Sequence, residues 1–216
     1  MLSKNLIEDL GLKEKYGRIF RGEFEKDPLY EEILEVGKRN SEEGLWILGG
    51  YVYRTIIDHI YHSDTKKEQV DIDFLTQRMS EERYVPEGWK SGKTDFGDPC
   101  MMKGKYKIDI NDMNTFHSIT SNECEATIEN ILRNSPLTIQ SIAWDLEKKK
   151  LLGNRGILAI LYKTVGVNNL SEAEYESKRK GLFLEDLVSF KAQQLGFKPQ
   201  GVKRAQILGL IKELFL

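Results

Sequence analysis

The chain has 216 residues, with 32 Lys and Arg against 34 Asp and Glu for a formal net charge of −2, which excludes any global electrostatic pull toward nucleic acid. Hydrophobic residues at 40% and charged residues at 31% fit a folded globular chain of one domain, or one with an appendage, and exclude a disordered one. No apolar run approaches the roughly 20 residues that span a bilayer, and Met1-Leu2-Ser3-Lys4-Asn5 lacks an apolar signal segment, so a cytoplasmic location without a membrane partner is expected.

The N-terminal region reads as helical. Asp27-Pro28 offers an N-cap carboxylate and a proline at the first helical position, with Glu31-Glu32 in the first turn, and predicts a helix that buries Leu29, Ile33, Leu34 and Val36. Leu45-Trp46-Ile47-Leu48 is a short apolar run ending in Gly49-Gly50, after which Val52, Ile56, Ile57 and Ile60 recur at helical spacing. Buried strand, glycine turn, helix is the pattern. Gly49 and Gly50 would let the backbone approach a phosphate closely, and the N–H groups of the helix start at Tyr51 would attract its charge, with Arg54 one turn in. His59 and His62, flanked by Asp58 and Asp64, have a spacing that could hold a transition metal, although a helix-surface pair ordinarily holds none. Only His117 lies outside that helix, which leaves a serine or cysteine nucleophile without a base.

Val70-Asp71-Ile72-Asp73-Phe74-Leu75 alternates, so in a strand Asp71 and Asp73 share one face while Val70, Ile72 and Phe74 enter a core. Adjacent anions repel, and such a pair usually persists because a cation, commonly a divalent metal, sits between them. Residues 86–99 hold Pro86, Gly88, Gly92, Gly97 and Pro99, forming a long loop or loose hairpin placed to close over a substrate. Next, Lys105-Tyr106-Lys107-Ile108-Asp109-Ile110-Asn111 alternates as a strand with Asp109 facing away from Ile108 and Ile110. If it lies beside the first acidic strand, three carboxylates converge as ligands for two metal ions. Asp112 is the alternative third carboxylate, on the other parity. Cys100 and Cys124 are expected to be free thiols.

From Leu45 to Leu152 the chain alternates strands and helices, as in a mixed sheet covered on one face. The remainder reads as helices around Ile157 to Val165, from Ser171 to Leu195, and from Pro199 to Leu214, with a basic tone from Lys178-Arg179-Lys180, Lys198, Lys203 and Arg204. The fold class is α+β: residues 1–153 form a sheet domain with N-terminal helices, and residues 154–216 a helical appendage.

Leu48-Gly49-Gly50-Tyr51-Val52 with Val70-Asp71-Ile72-Asp73-Phe74-Leu75-Thr76 resembles the Gly-Gly-x-Val turn and Asp-x-Asp strand of the DNA polymerase β-type nucleotidyltransferases. The closer likeness is to the head domain of poly(A) polymerases and CCA-adding tRNA nucleotidyltransferases. Leu137-Thr138-Ile139-Gln140-Ser141-Ile142-Ala143 is similar to the family's Phe-Thr-Ile-Asn-Ala run, and Phe190-Lys191-Ala192-Gln193-Gln194-Leu195-Gly196-Phe197 to its neck helix. The resemblance implies a nucleotidyltransferase that binds a nucleoside triphosphate through Gly49, Gly50, Tyr51 and Arg54. It implies Asp71, Asp73 and Asp109 as catalytic magnesium ligands, two ions in all, and an RNA 3′ end, a protein hydroxyl or a small molecule as acceptor. Tyr53-Arg54 stands where the family carries Arg-Asp, Asn134-Ser135-Pro136 where it carries Arg-Arg-Asp, and Leu184-Glu185-Asp186-Leu187-Val188-Ser189 lacks the neck arginines. These departures touch triphosphate binding and base choice, and open the alternative of a catalytically decayed nucleotide- or RNA-binding relative. A CCA-adding enzyme also carries a long helical body, so the expectation is the superfamily and not that identity.

Overall fold

Residues 7–65, 69–94 and 97–201 are described by a computed structural model. Its strands are β1 (Ser41–Leu48), β2 (Val70–Met79), β3 (Lys90–Lys93), β4 (Pro99–Lys103), β5 (Tyr106–Asp112), β6 (Ala143–Asp145) and β7 (Lys150–Leu152). Among the described residues they form one mixed seven-stranded sheet in the order β3-β4-β5-β2-β1-β6-β7. Every neighbouring pair is antiparallel except β2 and β5. The helices are α1 (Leu12–Phe24), α2 (Tyr30–Arg39), α3 (Gly49–Tyr61), α4 (His117–Thr120), α5 (Ile128–Arg133), α6 (Asn154–Tyr162), α7 (Leu170–Arg179) and α8 (Leu184–Leu195).

The alternation of β2 sorts its side chains as expected. Ile72 and Phe74 are sealed in the main core with Phe20, Ile33, Ile47, Val52, Ile56 and Ile108. That core continues into Ile157, Ile160, Leu187, Val188 and Ala192 of α6 and α8, so the C-terminal helices complete it. The sheet is not bare on its other face, contrary to the one-sided cover read from the sequence. Trp46, Leu75 and Met113 pack there under Ile119 of α4 and Ile128, Ile131 and Leu132 of α5. The cover comes from α4 and α5, both in the segment between β5 and β6, with Phe116 and Ala126 packed beside them. The part of this face around Asp71 and Asp73 lies outside that cover.

Several boundaries differ from the sequence reading. The second helix starts at Tyr30, without a side-chain cap, because Asp27 has other partners. Its carboxylate accepts from the Leu29 N–H (3.0 Å), the Tyr51 hydroxyl (3.0 Å) and the Tyr106 hydroxyl (3.0 Å), tying α3 and β5 to the start of α2. Burial and the Asp27 contact push the Tyr106 phenol up to about 12, and burial followed by the Asp27 charge raises Tyr51 as well. Of the loop or hairpin read over 86–99, the described part supplies β3, which pairs with β4, and Glu32 of α2 anchors the pair by accepting from Trp89 Nε1 (2.7 Å) and Lys103 Nζ (2.6 Å). The helix predicted to reach Val165 stops at Tyr162, and Thr164–Val165 forms a two-residue strand parallel to Lys198–Pro199. The predicted Ser171–Leu195 helix breaks where Gly181 takes φ +65°, a left-handed conformation that favours glycine. The helix read from Pro199 to Leu214, with Lys203 and Arg204, lies mostly outside the described residues, though Pro199 itself belongs to the short strand. No helix among the described residues is long and apolar enough to cross a membrane.

Since Asp27 satisfies two tyrosine hydroxyls on separate elements, Asp27→Ala should lower stability by about 2 to 3 kcal/mol. Urea denaturation measures this; an unchanged midpoint would show that the junction is not held by Asp27.

Candidate active site

β1 runs straight into α3, and the turn is made by Gly49, whose φ of +34° strains any other residue and whose N–H donates to the Ile142 carbonyl (2.9 Å). Gly50 differs: a Cβ built on it meets nothing within 4 Å, because it faces a cavity of about 190 Å³. Gly50, Tyr51, Arg54, Asp71 and Asp73 line that cavity, so the structure brings five of the expected residues together. Gln69, Gln140 and Lys191 line it too, and none of them was singled out from the sequence. The signal for Gln140 and Lys191 was their place in the two segments that resemble the family's. A larger cavity of about 430 Å³, with Glu43, Trp46, Gln77 and Lys148 in its wall, lies at the opposite ends of β1 and β2 and contains none of the expected residues.

Two expected contributors have other work. The Tyr51 ring is buried against Phe20 and Phe24, which leaves its backbone to serve the cavity. Arg54 Nη1 donates to the Thr65 carbonyl, bracing the chain that leads back to β2. His59 pairs with Glu23 (3.1 Å) and Asp58 accepts from Ser63 and Thr65, so those side chains serve local contacts. Asn134 and Ser135 bond to Ser118, Asn169 and Ile131, which gives them a local structural use.

Parallel pairing sets Asp73 directly opposite Asp109, and Asp71 opposite Lys107. The even alternation of both strands puts Asp71, Asp73, Lys107 and Asp109 on one face. Asp112 falls opposite Thr76 on the other parity and accepts from the Asn114 N–H (2.8 Å) to close a turn. Asp109 Oδ2 accepts from Lys107 Nζ (2.6 Å), and Asp71 Oδ1 from Gln69 Nε2 (2.6 Å). Burial first, then the Asp109 and Asp71 charges, push the Asp73 carboxyl up to about 7, with Lys107 offsetting only part. Asp98, at the end of the β3–β4 hairpin, is a fourth carboxylate nearby. Burial and then the charges of Asp109 and Asp112 raise it, and loop position alone gave no sequence signal for it.

Among the described residues no three His, Cys, Asp or Glu side chains close into a ready-made metal cage; Asp109 leans on Lys107 instead. The donor set nevertheless suits a hard divalent cation. Asp109 Oδ1 is buried without a hydrogen-bond partner, and the repulsion felt by Asp73 is what a bound cation relieves.

No family model matches the chain, and no curated protein matches it. Solved structures do. A CCA-adding enzyme in complex with CTP aligns at 16% identity and a TM-score of 0.52 over 87% of this chain and 44% of that one. A CCA-adding enzyme with ATP aligns at 18% and 0.52 over 87% and 43%, and the Bacillus stearothermophilus CCA-adding enzyme with CTP at 21% and 0.50 over 81% and 41%. The chain spans less than half the length of each of these three. At such identities the likeness shows the fold alone, an α+β fold shared with the aligned part of these CCA-adding enzymes.

Asp73 holds a proton in the folded state across the range from its ordinary 3.8 to about 7, where the unfolded chain has released it. Its contribution to stability is therefore full below pH 4 and lost as pH rises toward 7. Without divalent cation, Asp73→Asn should gain on the native protein more at pH 8 than at pH 5 in paired denaturation curves; an equal difference at both would mean Asp73 titrates normally.

Proposed function

We propose that the protein is a magnesium-dependent nucleotidyltransferase that moves a nucleotidyl group from a nucleoside triphosphate to a hydroxyl acceptor and releases pyrophosphate. The observation that carries this reading is that Asp71 and Asp73 line one cavity with the open Gly50 turn, while strand register sets Asp109 directly opposite Asp73. Asp71, Asp73 and Asp109 would hold the magnesium pair. When bound, it supplies positive charge for the triphosphate and makes the acceptor hydroxyl more acidic. The open face at Gly50 and the first turn of α3 receive the phosphates. The acceptor oxygen would bond to the α-phosphorus as the bond to pyrophosphate breaks, and Asp109 would help draw the proton from the acceptor hydroxyl. An RNA 3′ end is the acceptor favoured by the likeness to CCA-adding enzymes, and a cytoplasmic setting goes with it.

One observation favours a second reading. Lys107 is bonded to Asp109, and the family's arginines are absent, as in a relative that binds nucleotide or RNA without reacting. The test is incubation with each of the four nucleoside triphosphates and an RNA oligonucleotide, with magnesium or with chelator, following extension and pyrophosphate release. Magnesium-dependent extension is expected; binding without extension under every condition would favour the second reading.

Asp109→Ala should lower turnover by roughly a hundredfold or more while leaving much of the affinity for magnesium and triphosphate, because Asp71 and Asp73 remain. Asp112→Ala, on the opposite parity, should change turnover little. Reversal of that order in single-turnover kinetics would overturn the assignment of Asp109. Gly50→Val should fold, since the space around a Cβ there is open, yet weaken triphosphate binding by about tenfold or more by filling the phosphate approach. Unchanged affinity by calorimetry would make the glycine turn purely structural.

A further inference from the structure

We propose that Lys191, on α8, binds the triphosphate tail, so that nucleotide binding is shared between the sheet and the C-terminal helices. This rests on the reading of the cavity as a nucleoside triphosphate site. Within α8, Leu187, Val188, Ala192 and Leu195 are the residues sealed in the core. Position 191 is three residues after Val188 and four before Leu195, on the edge of that buried stripe. An apolar residue would ordinarily stand there. The half-buried lysine instead lines the cavity together with Asp71, Asp73, Gly50 and Arg54. It makes no hydrogen bond or ion pair among the described residues, even though two carboxylates share its cavity.

A partly desolvated ammonium without a partner is costly. Lys107 already serves Asp109, and Arg54 is committed on one side to Thr65, which leaves Lys191 as the cation in this cavity without a protein partner among the described residues. A polyphosphate carrying its metal is the ligand whose chemistry fits both walls, since its metal faces the carboxylates while its remaining negative oxygens face the lysine.

The test uses the full chain, calorimetric titration with magnesium present, and the triphosphate that the native protein binds best, together with its diphosphate and monophosphate. Lys191→Ala should weaken triphosphate binding by about tenfold or more and monophosphate binding by less than about twofold. Lys191→Arg should restore most of the loss, and unliganded melting temperatures should stay close to native. If Lys191→Ala binds triphosphate as the native protein does, the inference fails. Equal losses for all three nucleotides, or no rescue by arginine, would also overturn it. Should the alanine variant unfold, Lys191→Met keeps the aliphatic stem and takes its place in the same comparison. If the native protein binds no nucleoside triphosphate with or without magnesium, the reading of the cavity itself falls, a result distinct from any failure of Lys191.

Discussion

Electrostatic repulsion between carboxylates fixed opposite one another in a parallel strand pair is the constraint on which the rest of this molecule depends. Backbone hydrogen bonding holds β2 and β5 so that Asp73 and Asp109 cannot move apart, and Asp71 adds a further negative charge on the same face. Lys107 offsets part of it. What remains appears as an Asp73 carboxyl that holds its proton up to about pH 7 and an Asp109 oxygen left without a donor. The fold tolerates this because the opposite face of the same strands is sealed: Ile72, Phe74 and Ile108 are each no more than 1% exposed, and that apolar burial supplies the stability which the charged face draws down.

The anchors that hold this arrangement are polar and sit at its margins. Asp27 joins the turn before α2 to α3 and β5 through Tyr51 and Tyr106, and Glu32 clips the β3–β4 hairpin to α2. On the other side, buried Glu172 of α7 accepts from Ser121 (2.7 Å) and Asn122 (2.8 Å) beyond α4. The turn before α2 is thereby tied to β5 of the sheet, and α7 to the residues that follow α4.

The site was legible in the sequence where chemistry follows strict alternation. A period of two fixes which face Asp71, Asp73 and Asp109 occupy, and it separates Asp109 from Asp112 once the strands are assumed adjacent. The glycine turn was legible for a similar reason, since a short apolar run meeting a helical repeat leaves few conformations for Gly49. Long-range partners were not legible. Asp27 looked like a helix cap because Tyr51 and Tyr106 are distant in sequence, and a lysine such as Lys191 on an amphipathic helix resembles any solvated one until its neighbours are known. The break at Gly181 lay hidden inside a periodic stretch, and the cover that α4 and α5 give the second face came from segments too short to show a period.

The parallel union of β2 and β5 also bears on how the chain reaches its native state. Their contact is made across the whole β3–β4 hairpin, so it closes a long loop and belongs with the non-local pairings that form slowly. The β3–β4 and β6–β7 hairpins, by contrast, join segments close in sequence. Closing this pair brings the repelling carboxylates together, so their mutual energy weighs on assembly as well as on the stability of the product. A cation available during folding would act on both, speeding the closure of the sheet's centre and slowing its reopening.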